Sequence, residues 1–439
     1  MTHKGVGEGR ELTAETLARV EGEGAMRVVV HDGLVTDVQL RIYEPPRFFE
    51  AMLRGRGHTE PPDLTSRICG ICPVAYEMSA CHAIEDACGI DIPADIALMR
   101  RLLYCGEWIE SHTLHVYLLH APDFLGYPGA IEMATDHPDV VERGLRLKQA
   151  GNALMTLVGG RAVHPVNVKV GGFYRFPTRA ELGALRPQLQ GALDDALATV
   201  TMASGFEFPD FEQDHEYVSL RTDHDYPIEA GSFVTSSGHA FGVDAFGDWV
   251  AEEHVAHSNA LHARLRDAGP YVVGPLARYT LNHDRLPPTA RQAADAAGLG
   301  ATCRNPFRSI VVRAVEIVVA CEEALRIIDD WSDGPATDAA PAVEVPARAG
   351  TGHGATEAPR GTLYQRYELA ADGTVVSAQI VPPTSQNQAS IESDLRGFVQ
   401  ARLHLDTEEL TRQCEQAIRN YDPCISCATH FLDLTVDEA

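Results

Sequence analysis

The chain has 439 residues, 45% of them hydrophobic, with 36 Lys+Arg against 62 Asp+Glu and a formal net charge of −26. This is enough apolar material for a large core in one unit or in two or three domains, and the acidic balance excludes nucleic acid as the expected partner. No apolar run reaches the roughly 18 residues of a membrane span, and the N-terminus has neither an apolar signal core nor twin arginines, so the cytoplasm is the expected compartment.

Residues 16–44 alternate apolar and polar around His31-Asp32-Gly33, which predicts a β-hairpin or meander. From Pro45 the pattern turns helical through Phe48, Phe49, Met52 and Leu53. Long helices with broad apolar faces are expected over 94–120 and 135–158, and further helices over 179–204, 244–268, 288–297 and 307–332. The Ala-, Pro- and Gly-rich stretch 333–356 reads as a surface loop. A second hairpin is expected over 361–381, turning at Ala371-Asp372-Gly373, followed by helix over 392–420. The predicted fold class is mainly α (α+β): a long-helix bundle core with small antiparallel β-hairpin elements and no internal repeat. Residues 1–430 are expected to form a single large catalytic unit.

Two Cys-x-x-Cys pairs stand at opposite ends, Cys69/Cys72 and Cys424/Cys427. Thiolates in short chelates suit nickel, iron or zinc. A zinc ribbon closes its second pair within a few tens of residues of the first, whereas here nearly the whole protein lies between them. The metal is therefore expected at the heart of the fold. The other six cysteines have no partner at chelate spacing and read as small buried hydrophobes. His82, His120, His164, His254 and His257 read as satisfied imidazoles, and His112 and His115 as groups that orient their neighbours.

The cysteines have company. Arg19-Val-Glu21-Gly-Glu23 precedes the first pair, and Pro46-Arg-Phe-Phe-Glu50 lies between. His112-Thr-Leu-His115 runs on to Asp123, and Gly159-Gly-Arg-Ala-Val-His164 to Gly172. Glu357-Ala-Pro-Arg360 and Pro383-Thr-Ser-Gln-Asn387 flank the second hairpin, and His430 closes the Cys424/Cys427 motif. In these segments, in this order, the chain resembles the large, catalytic subunit of nickel–iron hydrogenases from about residue 16 to His430. The resemblance implies reversible heterolytic cleavage of dihydrogen. It also implies a nickel–iron centre held by Cys69, Cys72, Cys424 and Cys427, with Cys72 and Cys427 bridging to an iron that carries carbonyl and cyanide.

By the same likeness, Glu21 takes protons from Cys424, a task for which burial can tune a carboxyl group. Arg360 overhangs the open metal position, with Asp123 and Asp422 as its carboxylate partners. Thr384, or Ser385 if the register slips by one, and the backbone near Pro359 bond the cyanides. Glu50, the carbonyl of about Ile380 and His430 hold Mg2+ or a similar ion.

The chain departs from the pattern at Tyr76, where many members have a histidine; a tyrosine donates a hydrogen bond but relays no proton near neutral pH. Residues 431–439 resemble the tail that a maturation endopeptidase removes once nickel-insertion factors have loaded the site. The motifs look most like the cytoplasmic, bidirectional NAD(P)-linked subgroup. That likeness implies an iron–sulfur small subunit with flavin/NAD(P)-binding and ferredoxin-like subunits. No Gly-x-Gly-x-x-Gly fingerprint follows a strand, so electrons must leave through another chain. The alternatives are a deazaflavin- or ferredoxin-linked relative, a hydrogen-sensing regulator of the same fold, and the cysteine-free quinone-module relative in respiratory complex I.

Overall fold

The computed structural model describes residues 9–333 and 340–429. His430, the tail 431–439 and positions 334–339 of the expected loop lie outside the described residues.

Long helices build the core. Ala94–Thr113 packs against Pro138–Gly159 and against Ser309–Asp333, and the last of these also packs on Arg179–Ser204. The first half of Ser309–Asp333 is buried all round: Ile310, Val311, Val315, Ile317 and Val318 are fully buried, and so are its charged Arg313 and Glu316. A helix segment buried on every face sits at the centre of a bundle. Arg179–Ser204 starts at a capping box, in which Thr178 and Glu181 satisfy each other's backbone N–H groups. Ala94–Thr113 runs on as a π-helical turn over Leu114–His120, a local widening often found near functional sites.

The expected hairpin is present as Gly24–His31 and Leu34–Ile42, and Arg10–Ala14, ahead of the predicted bounds, completes a three-stranded antiparallel sheet. The second hairpin, Gly361–Leu369 with Val375–Val381, gains a third strand, Gly350–Ala358. The surface loop expected over 333–356 is therefore corrected from Gly350 onward. Gly-Thr-Gly-His-Gly reads as turn, but its glycines serve close packing. A Cβ on Gly352 would lie 2.0 Å from the carbonyl oxygen of Ala83, and one on Gly354 2.2 Å from that of Ser79. The strand thus presses directly on the Pro73–Cys88 helix, which begins just after Cys72. Gly354→Val should cost about 3 kcal/mol through overpacking, seen as a lower urea midpoint. Gly183→Ala, on an open helix face with nothing within 4 Å, should instead stabilise by about 0.5–1 kcal/mol. Equal midpoints for the two variants would refute the packing argument.

Two further expectations are corrected. Residues 244–268 are not one helix but a short helix, Phe246–Trp249, and an antiparallel ribbon of Val250–Glu253 and His262–Leu265. Tertiary bonding overrides the helical spacing there: Asn259 donates its backbone N–H to Ile42 and its side-chain amide to the carbonyl of Glu44. The helix expected over 392–420 is two, Pro383–Gln400 and Thr407–Arg419, the second capped by Asp406, whose side chain accepts from the Glu409 N–H. No described helix is long and apolar enough to cross a membrane.

Candidate metal centre

The two ends of the chain meet at the cysteines. Glu21 and Cys424 form a short parallel bridge, with the Ile425 N–H donating to the Glu21 carbonyl at 3.0 Å. Cys72 immediately precedes the Pro73–Cys88 helix, with Pro73 at its first position where no N–H is needed. The N–H groups of Ile71 and Cys72 both point at the Cys69 sulfur, each at 3.3 Å. Ser426–Ala428 forms a single helical turn that brings Cys424 and Cys427 to the same point.

All four Sγ atoms are buried and lie within 4.8 Å of one another. Cys69 and Cys424 are 3.5 Å apart and Cys72 and Cys427 3.9 Å, and none is in a disulfide. Four sulfurs at about 2.3 Å from one ion stand about 3.8 Å apart, so the set fits a single transition ion with little adjustment. Hydrogen bonds from Cys424, Cys427 and Cys72 hold the Cys69 thiol well below its ordinary value, while burial pushes Cys424 and Cys427 up. Without a cation the cluster cannot hold four negative charges; a bound metal supplies the compensating charge.

Polar groups surround the thiols in a defined order. Glu21 Oε2 accepts from the Cys424 thiol at 3.1 Å and from the Ser426 N–H at 3.1 Å; the Ser426 hydroxyl bonds Glu21 Oε1 and also reaches Glu44 at 3.2 Å. Arg360 is 2% exposed and donates to the Asp422 carbonyl at 2.8 Å and its carboxylate at 3.1 Å. Burial alone would lower this guanidinium, but Asp422 and the cluster thiols outweigh it and hold it well above its ordinary value. Its Nη1 is buried with no hydrogen-bond partner, a spare donor of the kind that small ligands on a metal would satisfy. Asp422 itself adopts a left-handed backbone, φ 51°, an outlier at a functional position.

Thr384 Oγ1 accepts from the Cys424 N–H at 3.0 Å, Ser385 is buried beside it in the chain, and the Pro359 carbonyl accepts from Arg278 at 2.8 Å. Four groups here escaped the sequence reading. Ser426 relays between two carboxylates. Arg313 lies 3.6 Å from Asp422. Glu107 accepts from the N–H groups of Val74 and Ala75, at 2.6 and 3.2 Å, and so caps the helix that starts at Cys72. Arg47 donates to the Ile68 carbonyl at 2.7 Å and to that of Ser426, tying the two cysteine loops together. The Pro46-Arg-Phe-Phe-Glu50 string was the one available signal for Arg47.

One placement is corrected. Asp123 is not a partner of Arg360: Arg419 binds its carboxylate through two bonds, at 2.7 and 2.8 Å, and Arg19 adds a third at 2.5 Å. These guanidiniums occupy both oxygens. Asp123 thus anchors the segment just before Glu21 to the helix just before Cys424. Glu50 accepts from the Ile380 N–H at 2.7 Å, and burial pushes its carboxyl up to about 8. Nearby Glu252, bonded to Gln379 at 3.0 Å, is pushed up to about 7 for the same reason. Tyr76 is fully buried, and the thiols of Cys427, Cys72 and Cys424 add to burial in raising its hydroxyl. His115 bonds the Arg419 carbonyl at 2.8 Å and His112 lies 3.0 Å from Glu316.

The profile of the family described as "Nickel-dependent hydrogenase" matches residues 47–139 and 262–430. The chain is 33% identical over 429 residues to sulfhydrogenase 1 subunit alpha of Pyrococcus furiosus, covering 96% of this chain and 98% of that one. It is 28% identical to the NAD-reducing hydrogenase HoxS subunit beta of Cupriavidus necator, covering 96% and 95%. Among solved structures it superposes on an NAD+-reducing [NiFe]-hydrogenase in the H2-reduced state with a TM-score of 0.85, 27% identity and coverage of 96% and 99%. Both cysteine pairs lie within the stretches that the profile matches. The chain therefore belongs to the nickel-dependent hydrogenase family, as a nickel–iron hydrogenase large subunit.

Proposed function

We propose that this subunit cleaves dihydrogen heterolytically and reversibly, with electrons passing to an iron–sulfur partner subunit and onward to NAD(P). The observation that carries the reading is the Cys424 thiol donating to Glu21 within a closed set of four buried sulfurs. A nickel–iron centre bound at Cys69, Cys72, Cys424 and Cys427, with Cys72 and Cys427 also on iron, would supply the splitting of dihydrogen. The chain's own residues do the rest. Cys424 hands a proton to Glu21, and Ser426 passes it toward the half-buried Glu44. Arg360, fixed by Asp422, keeps its spare Nη1 donor and positive charge over the sulfurs. Thr384, or Ser385 next to it, and the backbone near Pro359 would hydrogen-bond the cyanide ligands of such a centre.

The NAD(P) acceptor is supported by likeness to the NAD-reducing HoxS relative and to the superposed NAD+-reducing structure. It brings with it flavin- and nucleotide-binding partner subunits and a cytoplasmic site of action. Infrared spectra of the enzyme purified with its partners, with nickel and iron analysis, test the centre. Carbonyl and cyanide stretches with near-equimolar nickel are expected; zinc without those bands would overturn the reading. Assays with NAD+, NADP+, deazaflavin and ferredoxin then fix the acceptor.

Glu50, the Ile380 carbonyl and His430 are proposed to hold Mg2+, with Glu252 as a second carboxylate close by. Both carboxyls are raised by burial, so the stability they lend is full below their unfolded value of about 4.5 and is lost as pH rises through about 7 to 8. A divalent ion reverses this by favouring the charged forms. Chelator-treated enzyme should lose thermal stability steadily between pH 5 and pH 8.5, by about 1–3 kcal/mol, and added Mg2+ should flatten the profile. Identical profiles with and without Mg2+ would exclude the ion from this site.

A further inference from the structure

On the other side of the 250–265 ribbon lies a second constellation of ligand atoms. His257, His262 and Glu392 bring one ring nitrogen or carboxylate oxygen each to within 4.8 Å of one another. They come from three different places: His257 from the loop after Val250–Glu253, His262 from the first position of the returning strand, and Glu392 from the Pro383–Gln400 helix. His262 pairs in register with Glu253, while Ala263 pairs with Glu252. Neighbouring residues of a strand face opposite ways, so this cluster is on the face away from Glu252 and Gln379 and is separate from the proposed Mg2+ ligands.

The cluster is only partly explained by its own hydrogen bonds. His257 Nε2 lies 2.7 Å from Glu392 Oε1, and the same oxygen accepts from the Leu40 N–H at 2.8 Å. His262, however, is 0% exposed, and neither of its ring nitrogens makes a hydrogen bond of good geometry. The Gln388 amide lies beside its ring and interacts with it weakly, but the buried Gln388 Nε2 is also without a well-formed bond, and its Oε1 is used by the Ser258 hydroxyl at 3.4 Å. Buried polar atoms without partners are rare and call for a missing group. Burial also keeps His262 neutral, lowering it to about 4, which is the form that binds metal.

We propose that His257, His262 and Glu392 form a second metal site, for a divalent first-row transition ion such as Zn2+. Two imidazoles and one carboxylate are a common zinc donor set and a poor one for Mg2+ or Ca2+, which take mainly oxygen. Donors at about 2.1 Å from a tetrahedral ion stand about 3.4 Å apart, so the His257–Glu392 pair, now at 2.7 Å, would open slightly as His257 exchanges its bond to Glu392 for the ion, while His262 would close in from within 4.8 Å. The ion would clamp three segments that converge behind the thiols. Ala260, between the two histidines, packs with Ile42, Ile425 and Ala428, and Ile425 and Ala428 flank Cys427. The role is structural: it holds the 254–262 loop against the back of the Cys424–Cys427 turn.

The test uses the complete enzyme with its partner subunits. Metal analysis should find one zinc equivalent beyond nickel and iron, and zinc-edge X-ray absorption should show nitrogen and oxygen neighbours with an imidazole pattern and no sulfur. His262→Ala and Glu392→Gln should each lose that equivalent. Unchanged carbonyl and cyanide stretches in the variants would show that the fold survives, and Glu392→Gln, close in size to the native residue, serves if His262→Ala fails to fold. For a chelated sample, Co2+ is the probe: it should bind once, with visible bands of a nitrogen–oxygen site and no thiolate charge transfer. Wild-type enzyme that holds no zinc and binds no Co2+ overturns the proposal. So does zinc with sulfur neighbours, or zinc retained in full by both variants.

Discussion

Glu21→Gln should lower dihydrogen turnover by about 10²- to 10⁴-fold, the usual span for removing a group that transfers protons, while nickel content and carbonyl and cyanide stretches stay at wild-type levels. Glutamine keeps the size and can still accept from the Ser426 N–H, so the bridge between residue 21 and the Cys424 strand, with its Ile425–Glu21 backbone bond, survives. An amide cannot take the proton that the Cys424 thiol offers at 3.1 Å. A 10³-fold loss corresponds to about 4 kcal/mol in the barrier, far more than one surface hydrogen bond could account for. Hydrogen–deuterium exchange by the enzyme should fall in parallel with turnover, because release of the proton to water is the step removed. Glu44→Gln, one relay further out, should cost about tenfold, since water can replace a half-buried carboxylate. Glu21→Gln with more than a tenth of wild-type turnover would move the proton exit to another group.

The parts of the site that were legible in the sequence are those whose chemistry is written in short strings. Cys-x-x-Cys fixes two sulfurs on one turn, and the likeness of the segments around Arg360 and Asp422 to the family paired those two residues, as the structure does. Asp123 was misassigned for the opposite reason. Its true partner, Arg419, is 296 positions away, and no local pattern says which of several buried guanidiniums a carboxylate will meet. Glu107 was invisible on the same ground, and Arg47 stood in a recognisable string whose target was not readable, because each acts on backbone groups of a distant loop. Long helices such as Arg179–Ser204 emerged almost to the residue, since capping and 3.6-residue spacing are local. The 250–265 ribbon and the strand at Gly350 did not. Their identity is set by what they lie against, and glycine at 352 and 354 signals a close neighbour only once that neighbour is known.

Arg278→Met should destabilise the protein by about 3–5 kcal/mol, the cost of stripping one partner from a buried ion cluster. Arg278, Glu316 and Glu357 are each 0% exposed. Two bonds of 2.8 Å join Arg278 to Glu316, and one of 3.0 Å joins it to Glu357. Its guanidinium also lies over the Trp108 ring, 4.6 Å from the centroid. Burial alone would raise Glu316, but Arg278 outweighs it and holds this carboxyl well below its ordinary value. Without the arginine two carboxylates face each other in a dry core. Methionine fills the space, so the loss measures charge rather than a cavity. Adding Glu316→Gln and Glu357→Gln to the same chain should recover most of it, because a neutral cluster has no charge to leave unpaired.

The consequence reaches the metal centre. Arg278 donates to the carbonyls of Ala358 and Pro359, both at 2.8 Å, and so fixes the turn from which Arg360 projects over the sulfurs. In the rescued triple variant those two bonds are still missing. Stability should therefore return while turnover stays below wild type and the cyanide stretches shift. Full recovery of both would mean that the turn holds its shape unaided. Recovery of neither would mean that the arginine matters through its packing on Trp108 rather than through its charge.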